Sequence, residues 1–446
     1  MKVLWTSNVL LPAAAEAMAR TPGRGGSWMA ALADELERRC PQVELGVVTM
    51  QPCSSVTRRV VGNVVYYVVP SRLRDPLGRP RKPVLRAFRD VIADFQPTLI
   101  HVHGSEYSYG RIASEVAPET PTVVEIQGLI AACEKCHWGG MKLTELIRYR
   151  TFRDWLRLDG LLEQRWKLRR RARQESDILC QARHIIGRTA WDRTSAFALA
   201  PNAAYYHCDE MLRPPFFSLA WQTAGATKHT ILATSTVCPN KGFHLLLTAV
   251  HSLKRDFPNI QVRVAGSTFK RQGDRPSIGE RLRMPGYSRY LTDRIRQYGL
   301  EQNIVPLGWL DAEQMAAELT RAHVYVLPSF IENSPNALAE AMLVGTPCVA
   351  ARVGGVPSMA QDETEALLFP RGDAERLAGH IRRLFLDDGL AQTLSNNARR
   401  TALVRHAPET VVRNLLGIYE TVTNRRQVPA ANPRDFSSPS NVGRAA

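Results

Sequence analysis

Short, uninterrupted apolar runs recur along this chain, and each gives way to a longer segment whose apolar residues return every three or four positions. Lys2 to Ser7, Val43 to Thr49, Val64 to Val69, Leu99 to His103, Val123 to Ile126 and Ile185 to Gly187 are the runs of the first half. Several lack any alternation with polar residues, which is the pattern of strands buried on both faces of a parallel sheet. The intervening segments predict the helices that cover such a sheet. The alternation resumes at Ile231 and continues through Val262 to Gly266, Ile304 to Gly308, Val324 to Leu327 and Cys348 to Ala351. Between the two series, Pro214 to Gly225 is rich in proline and small residues and reads as a linker. The expectation is an α/β protein of two doubly wound, Rossmann-like parallel-sheet domains, residues 1–215 and 226–407. A further helix is expected over 408–424, and residues 425–446, rich in Pro, Asn, Ser and Arg, read as a disordered tail.

The stretch His323 to Arg352 holds one complete strand, turn, helix and strand. Ser334 is placed to cap the helix, Pro335 to occupy its first position, and Gly345-Thr346-Pro347 to stop it. Glu332 then lies in the turn and Glu340 in the helix. A helix start at the carboxyl edge of a parallel sheet presents free N–H groups and partial positive charge, which favours phosphate. Carboxylates beside it suit sugar hydroxyls.

Glu332 and Glu340, seven residues between them, followed by Ala341-Met342 and Gly345-Thr346-Pro347, resemble the signature of family 4 of the retaining nucleotide-sugar glycosyltransferases. Gly354-Gly355-Val356-Pro357 and Leu367-Leu368-Phe369-Pro370 match the next loop and strand of that family, and Lys241-Gly242 matches its phosphate-binding loop. The resemblance implies the GT-B arrangement, two such domains facing across a cleft, with the last helix crossing back to the first domain. It implies retaining transfer from a nucleoside diphosphate sugar to a hydroxyl of a growing polysaccharide or lipid-linked glycan.

In that scheme Glu332 is the catalytic candidate near the reacting end of the sugar. Glu340 holds the ribose, Lys241 the diphosphate, and Asn333, Ser334, Asn336 and Ala337 the phosphates and sugar. Gly25 and Gly26, in a glycine-rich turn after the first strand, with His103 and Gln127, are expected on the acceptor side of the cleft. Two positions depart from the family: Thr236 stands where an arginine partners the lysine, and Gln127 where a titratable residue is usual. An epimerase of the same fold and a catalytically silent, membrane-binding relative are the alternatives. The paired-aspartate metal motif of the other large glycosyltransferase fold is missing, so no metal cofactor is expected.

Charge adds a partner. The chain of 446 residues carries a net charge of +16. Arg148 to Arg173 concentrates ten Lys or Arg against three Asp or Glu, interleaved with Phe152, tryptophans and leucines, and predicts a helix with an apolar stripe and basic flanks. No zinc-finger, RNA-recognition or helix-turn-helix pattern accompanies it, so an anionic membrane surface is expected rather than nucleic acid. No run approaches the length of a spanning helix, and the apolar start of the chain is broken by Thr6, Ser7 and Asn8. The eight scattered cysteines read as reduced thiols, and the expected location is cytoplasmic, peripheral at the inner face of the membrane. Cys133-x-x-Cys136-His137 is read as a loop without a metal or haem role, lacking a second ligand cluster. His101 and His103, on one side of a strand, make a poor metal site for want of a third partner.

Overall fold

The computed structural model describes residues 1–21, 27–70, 80–234, 237–266, 279 and 283–424. The first sheet contains β1 (Lys2–Ser7), β2 (Glu44–Gln51), β3 (Thr57–Val61), β4 (Val64–Pro70), β5 (Leu99–His103), β6 (Thr122–Glu125), β7 (His184–Gly187) and β8 (Ala204–His207). Their order is β3-β4-β2-β1-β5-β6-β7-β8, parallel except for the antiparallel pair β3-β4. The apolar runs form its centre because helices on both faces leave no side for water. β3 was not foreseen: its sequence TRRVV is largely exposed at the sheet edge and has no apolar run to betray it.

The second sheet contains β9 (Thr227–Thr234), β10 (Gln261–Ala265), β11 (Ile304–Gly308), β12 (Ala322–Leu327), β13 (Cys348–Ala351) and β14 (Leu367–Phe369), in the order β11-β10-β9-β12-β13-β14 and wholly parallel. In each sheet the winding reverses once, between β1 and β5 and between β9 and β12. Crevices open at the carboxyl ends of strands at such reversals, and ligands bind there.

The cores cross the sequence halves twice. Helix Pro408–Asn424 buries Val411, Val412, Leu415, Ile418, Tyr419 and Val422, a helical stripe, in the core of the first sheet. Tyr419 anchors it: Trp5 Nε1 donates to the phenol oxygen at 2.8 Å, and the same oxygen lies 2.8 Å from His101 Nδ1. Each buried aliphatic side chain contributes about 1.5–3 kcal/mol. In the other direction Met141 and Leu146 join the core of the second sheet, with Trp138, Tyr149, Leu161 and Leu162 packed against it. The first domain is therefore not the whole of 1–215, because this excursion turns its apolar side to the second sheet.

Two local expectations are corrected. Cys133 and Cys136 lie in a helix, Ile130–Cys136, rather than a loop; it packs on the long helix Leu161–Leu179 through Ile130, Ala172 and Ile178. The basic segment is two helices, Phe152–Arg157 and Leu161–Leu179, not one. Leu158 takes a left-handed conformation (φ 48°) between them and Gly160 opens the second. All eight cysteines are free. The tail, the 425–446 region, and most of the long basic segment after Gly266 lie outside the described residues.

Candidate functional site

At the reversal between β9 and β12, the two following loops bring Lys241 and Glu332 together. Lys241 Nζ donates to Glu332 Oε1 at 2.6 Å, and Ser329 Oγ donates to the same oxygen at 2.7 Å. Burial disfavours the ammonium charge, but Glu332 holds the Lys241 pKa above its usual value. The close approach needs glycine on both sides. Gly242 has φ 71°, and a side chain there would strike the Pro328 carbonyl at 1.9 Å; Gly354 has φ 50°, and a side chain there would strike the Glu332 carbonyl at 1.9 Å. The next residue, Gly355, donates its N–H to that carbonyl at 3.1 Å.

The helix begins one residue later than expected. Asn336–Val344 is helical with Pro335, not Ser334, in the capping position and no side-chain cap. Proline offers no side-chain acceptor, and the Leu338 N–H turns to the Pro335 carbonyl at 3.0 Å, so the Asn336 and Ala337 N–H groups keep their capacity for an anion. Asn336 and Ala337, partly buried, lie in this first turn, and Ser334 in the loop before it. Glu340, one turn on, is 8% exposed, and its Oε1 accepts from Arg213 Nη2 at 2.7 Å. Burial raises the Glu340 carboxyl above its usual range, with Arg213 opposing.

Asn333 bridges the two sheets. Thr189 Oγ1 donates to its Oδ1 at 3.0 Å, and its Nδ2 donates to the carbonyls of Gln127 and Ile126 at 3.4 and 3.5 Å. Gln127 thus meets the second domain through its backbone. Nearby, the Ala190 N–H donates to Ser358 Oγ at 3.1 Å, and His244 Nε2 to the Gly139 carbonyl at 2.8 Å.

Beneath the first-sheet edge lies a buried charge cluster. His103, expected to line the cleft, is instead 2% exposed, packed edge-on against Trp5 and Trp28, with Nδ1 2.5 Å from Glu125 Oε2. Arg188 Nη2 lies 2.6 Å from Glu125 Oε1 and 2.7 Å from Glu210 Oε1. Burial pushes His103 down to about 4. Burial would raise Glu125, but Arg188 and the histidines hold it well below the usual carboxylate range. Glu210 is pushed by burial to about 7 against the pull of Arg188.

His101, His103 and Glu125 come within 4.8 Å of one another, so the histidine pair does have a third partner, supplied by the neighbouring strand β6. Its donor set is largely engaged already, His101 by Tyr419 and Glu125 by His103 and Arg188, and a dication there would face the Arg188 guanidinium. The Nε2 atoms of His101 and His103 are buried without a hydrogen-bond partner among the described residues.

Gly25, Gly26 and Thr236 lie outside the described residues. Sequence reasoning gave no role to Arg188, Glu210 or Arg213. A buried arginine leaves no periodic trace, and its partners lie 63 and 22 residues away.

A family profile described as "Glycosyl transferases group 1" matches residues 221–401, and one described as "Glycosyl transferase 4-like domain" matches residues 25–205. The putative colanic acid biosynthesis glycosyltransferase WcaL of Salmonella typhimurium is 26% identical over 199 residues, 43% of this chain and 45% of that protein. The chain spans about half or less of the length of the relatives it matches. Among solved structures, sucrose-phosphate synthase of Thermosynechococcus elongatus superposes with a TM-score of 0.70 at 17% identity, covering 95% of this chain and 99% of that one. Anabaena HepE in complex with UDP and glucose superposes with a TM-score of 0.64 at 16% identity, covering 94% and 100%. At such identities the likeness is one of fold.

Proposed function

The chain belongs to the family 4 type of GT-B glycosyltransferases, and from that premise we propose that it moves a sugar from a nucleoside diphosphate sugar to a hydroxyl acceptor with retention of configuration. The acceptor class is a growing polysaccharide or a lipid-linked glycan. The observation that carries this reading is the junction of Lys241, Glu332 and the uncapped start of helix Asn336–Val344 at one sheet reversal. The solved HepE structure holds UDP and glucose on the same fold, which supports a nucleotide-sugar donor.

Charge that develops on the departing diphosphate would be met by the Lys241 ammonium and the first-turn N–H groups, both fixed before reaction. Glu332, already positioned by Ser329 and Lys241, would stabilise positive charge growing on the sugar. Glu340 would accept the ribose hydroxyls. The Gln127 amide neither gains nor loses a proton at neutral pH, so it is given no acid or base step. A thermal-shift screen of nucleoside diphosphates and their sugars tests the reading. A ligand at 100 times its dissociation constant stabilises the folded state by about 2.7 kcal/mol, and no shift with any of them would contradict a nucleotide-sugar donor.

We further propose peripheral contact with an anionic bilayer. Phe152, Trp155, Leu156, Leu158 and Trp166 are 58–66% exposed on neighbouring helices, beside exposed Arg157, Lys167 and Arg169. Aromatic and basic side chains together suit the headgroup layer. No helix among the described residues is long and apolar enough to cross a membrane.

A further inference from the structure

One of the passages of the polypeptide between the two cores is made between adjacent residues: Met211 packs in the core of the first sheet and Leu212 in that of the second. A charged side chain stands on each side of this crossover, and both reach the same helix. The Asn336 side chain draws the Glu210 carboxyl down against the effect of burial, and Arg213 Nη2 lies 2.7 Å from Glu340 Oε1. Asn336 and Glu340 are four residues apart and therefore share one helix face.

The Arg213 guanidinium is itself held in place. It lies over the ring of Phe216, 4.8 Å from the centroid, and Phe216 is fully buried. Its Nε is buried without a partner, so the group gives its hydrogen bond to Glu340 alone among the described residues. A carboxylate as enclosed as Glu340 would otherwise lose its charge or turn away, since an unpaired buried charge is costly.

We propose that Arg213 is a positioning residue for donor binding: from the domain crossover it aims the Glu340 carboxylate so that its oxygens accept the cis-diol of a nucleoside diphosphate's ribose. This rests on the donor-site reading of Glu340 given above. Arg213 touches the diol only through Glu340 and leaves the phosphates to Lys241 and the helix start.

Calorimetric titration of UDP, GDP and inorganic pyrophosphate into the unmodified protein, Arg213→Met and Arg213→Lys tests this. Arg213→Met is expected to lose about tenfold or more in affinity for the nucleoside diphosphate that binds, the size of one charge-assisted hydrogen bond. Pyrophosphate, which has no ribose, should bind as before, and kcat at saturating donor should change little. Arg213→Lys keeps the charge without the planar fork and should show a smaller loss of the same selectivity. That variant carries the test if Arg213→Met does not fold. Unchanged nucleoside diphosphate affinity in the folded variants overturns the inference alone, as does an equal loss for pyrophosphate, which would make Arg213 a direct phosphate contact. Failure of the unmodified protein to bind either nucleotide overturns the donor-site reading and this inference with it.

Discussion

Lys241 Nζ lies 2.6 Å from Glu332 Oε1, so the cation assigned to the diphosphate and the carboxylate assigned to the sugar form one ion pair across two loops. An arriving donor would take a share of the lysine, and the pair keeps it charged until then. Lys241→Met should therefore weaken nucleoside diphosphate binding by roughly ten- to a hundredfold, the equivalent of about 1.5–3 kcal/mol for a charged hydrogen bond. Fluorescence or calorimetric titration checks this; unaltered affinity would remove Lys241 from the site.

Glu332 should matter most when the donor bond breaks. Glu332→Ala is expected to depress kcat far more than it alters donor KM, because its interaction grows with positive charge on the sugar. Steady-state kinetics decides, and a pure KM effect would count against that role.

Metal chelation forms a third test. The proposed charge stabilisation uses Lys241 and backbone N–H groups, so EDTA should leave transfer activity largely intact. Complete loss restored by magnesium or manganese would contradict this mechanism.

Membrane contact should depend on the exposed aromatic corner more than on the arginine run. Trp155→Ser with Leu156→Ser should reduce binding to anionic vesicles while sparing nucleotide binding. Replacing Arg169, Arg170 and Arg171 by Ser should make the residual binding weaker, at about 1 kcal/mol per well-placed base, and less sensitive to salt. Absence of co-sedimentation by the unmodified protein at low salt would end the membrane reading.

Glu175 offers a pH test of stability. It is 1% exposed, accepts from Ser105 Oγ at 2.8 Å and from the Ile130 N–H at 2.7 Å, and burial pushes its pKa to about 7. The folded state thus holds a proton that the unfolded chain, with the ordinary value of 4.5, has released. Its contribution to stability is present below about pH 4.5 and falls as pH rises through about 7. Glu175→Gln lacks this loss, so its Tm relative to the unmodified protein should climb from pH 4.5 to 7.5, by the equivalent of about 3 kcal/mol. A pH-independent difference would contradict the assignment.

Much of the fold was legible because parallel strands buried on both faces must be apolar throughout, as in Val324 to Leu327 and Cys348 to Ala351. The edge strand Thr57–Val61 was not, since it faces water and reads as polar loop. The helix at Cys133 was obscured by a cysteine and histidine spacing that suggested chemistry instead. Glu332, Glu340 and Lys241 were legible as motif members, but not their partners. Arg213 sits 127 residues from Glu340, and Arg188 is 63 from Glu125; the first pairing is set by how the two sheets face each other and the second by which strands are neighbours within the first sheet, and no local pattern records either.

The central claim is that the second-sheet crevice grips a nucleoside diphosphate with Glu340 on the ribose. Calorimetric titration of the nucleoside diphosphate into the unmodified protein, Glu340→Ala and Glu332→Ala tests it most directly. Glu340→Ala should lose roughly ten- to a hundredfold in affinity, and Glu332→Ala should bind nearly as tightly as the unmodified protein. Equal, small effects of both substitutions, or no binding by the unmodified protein, would contradict the account.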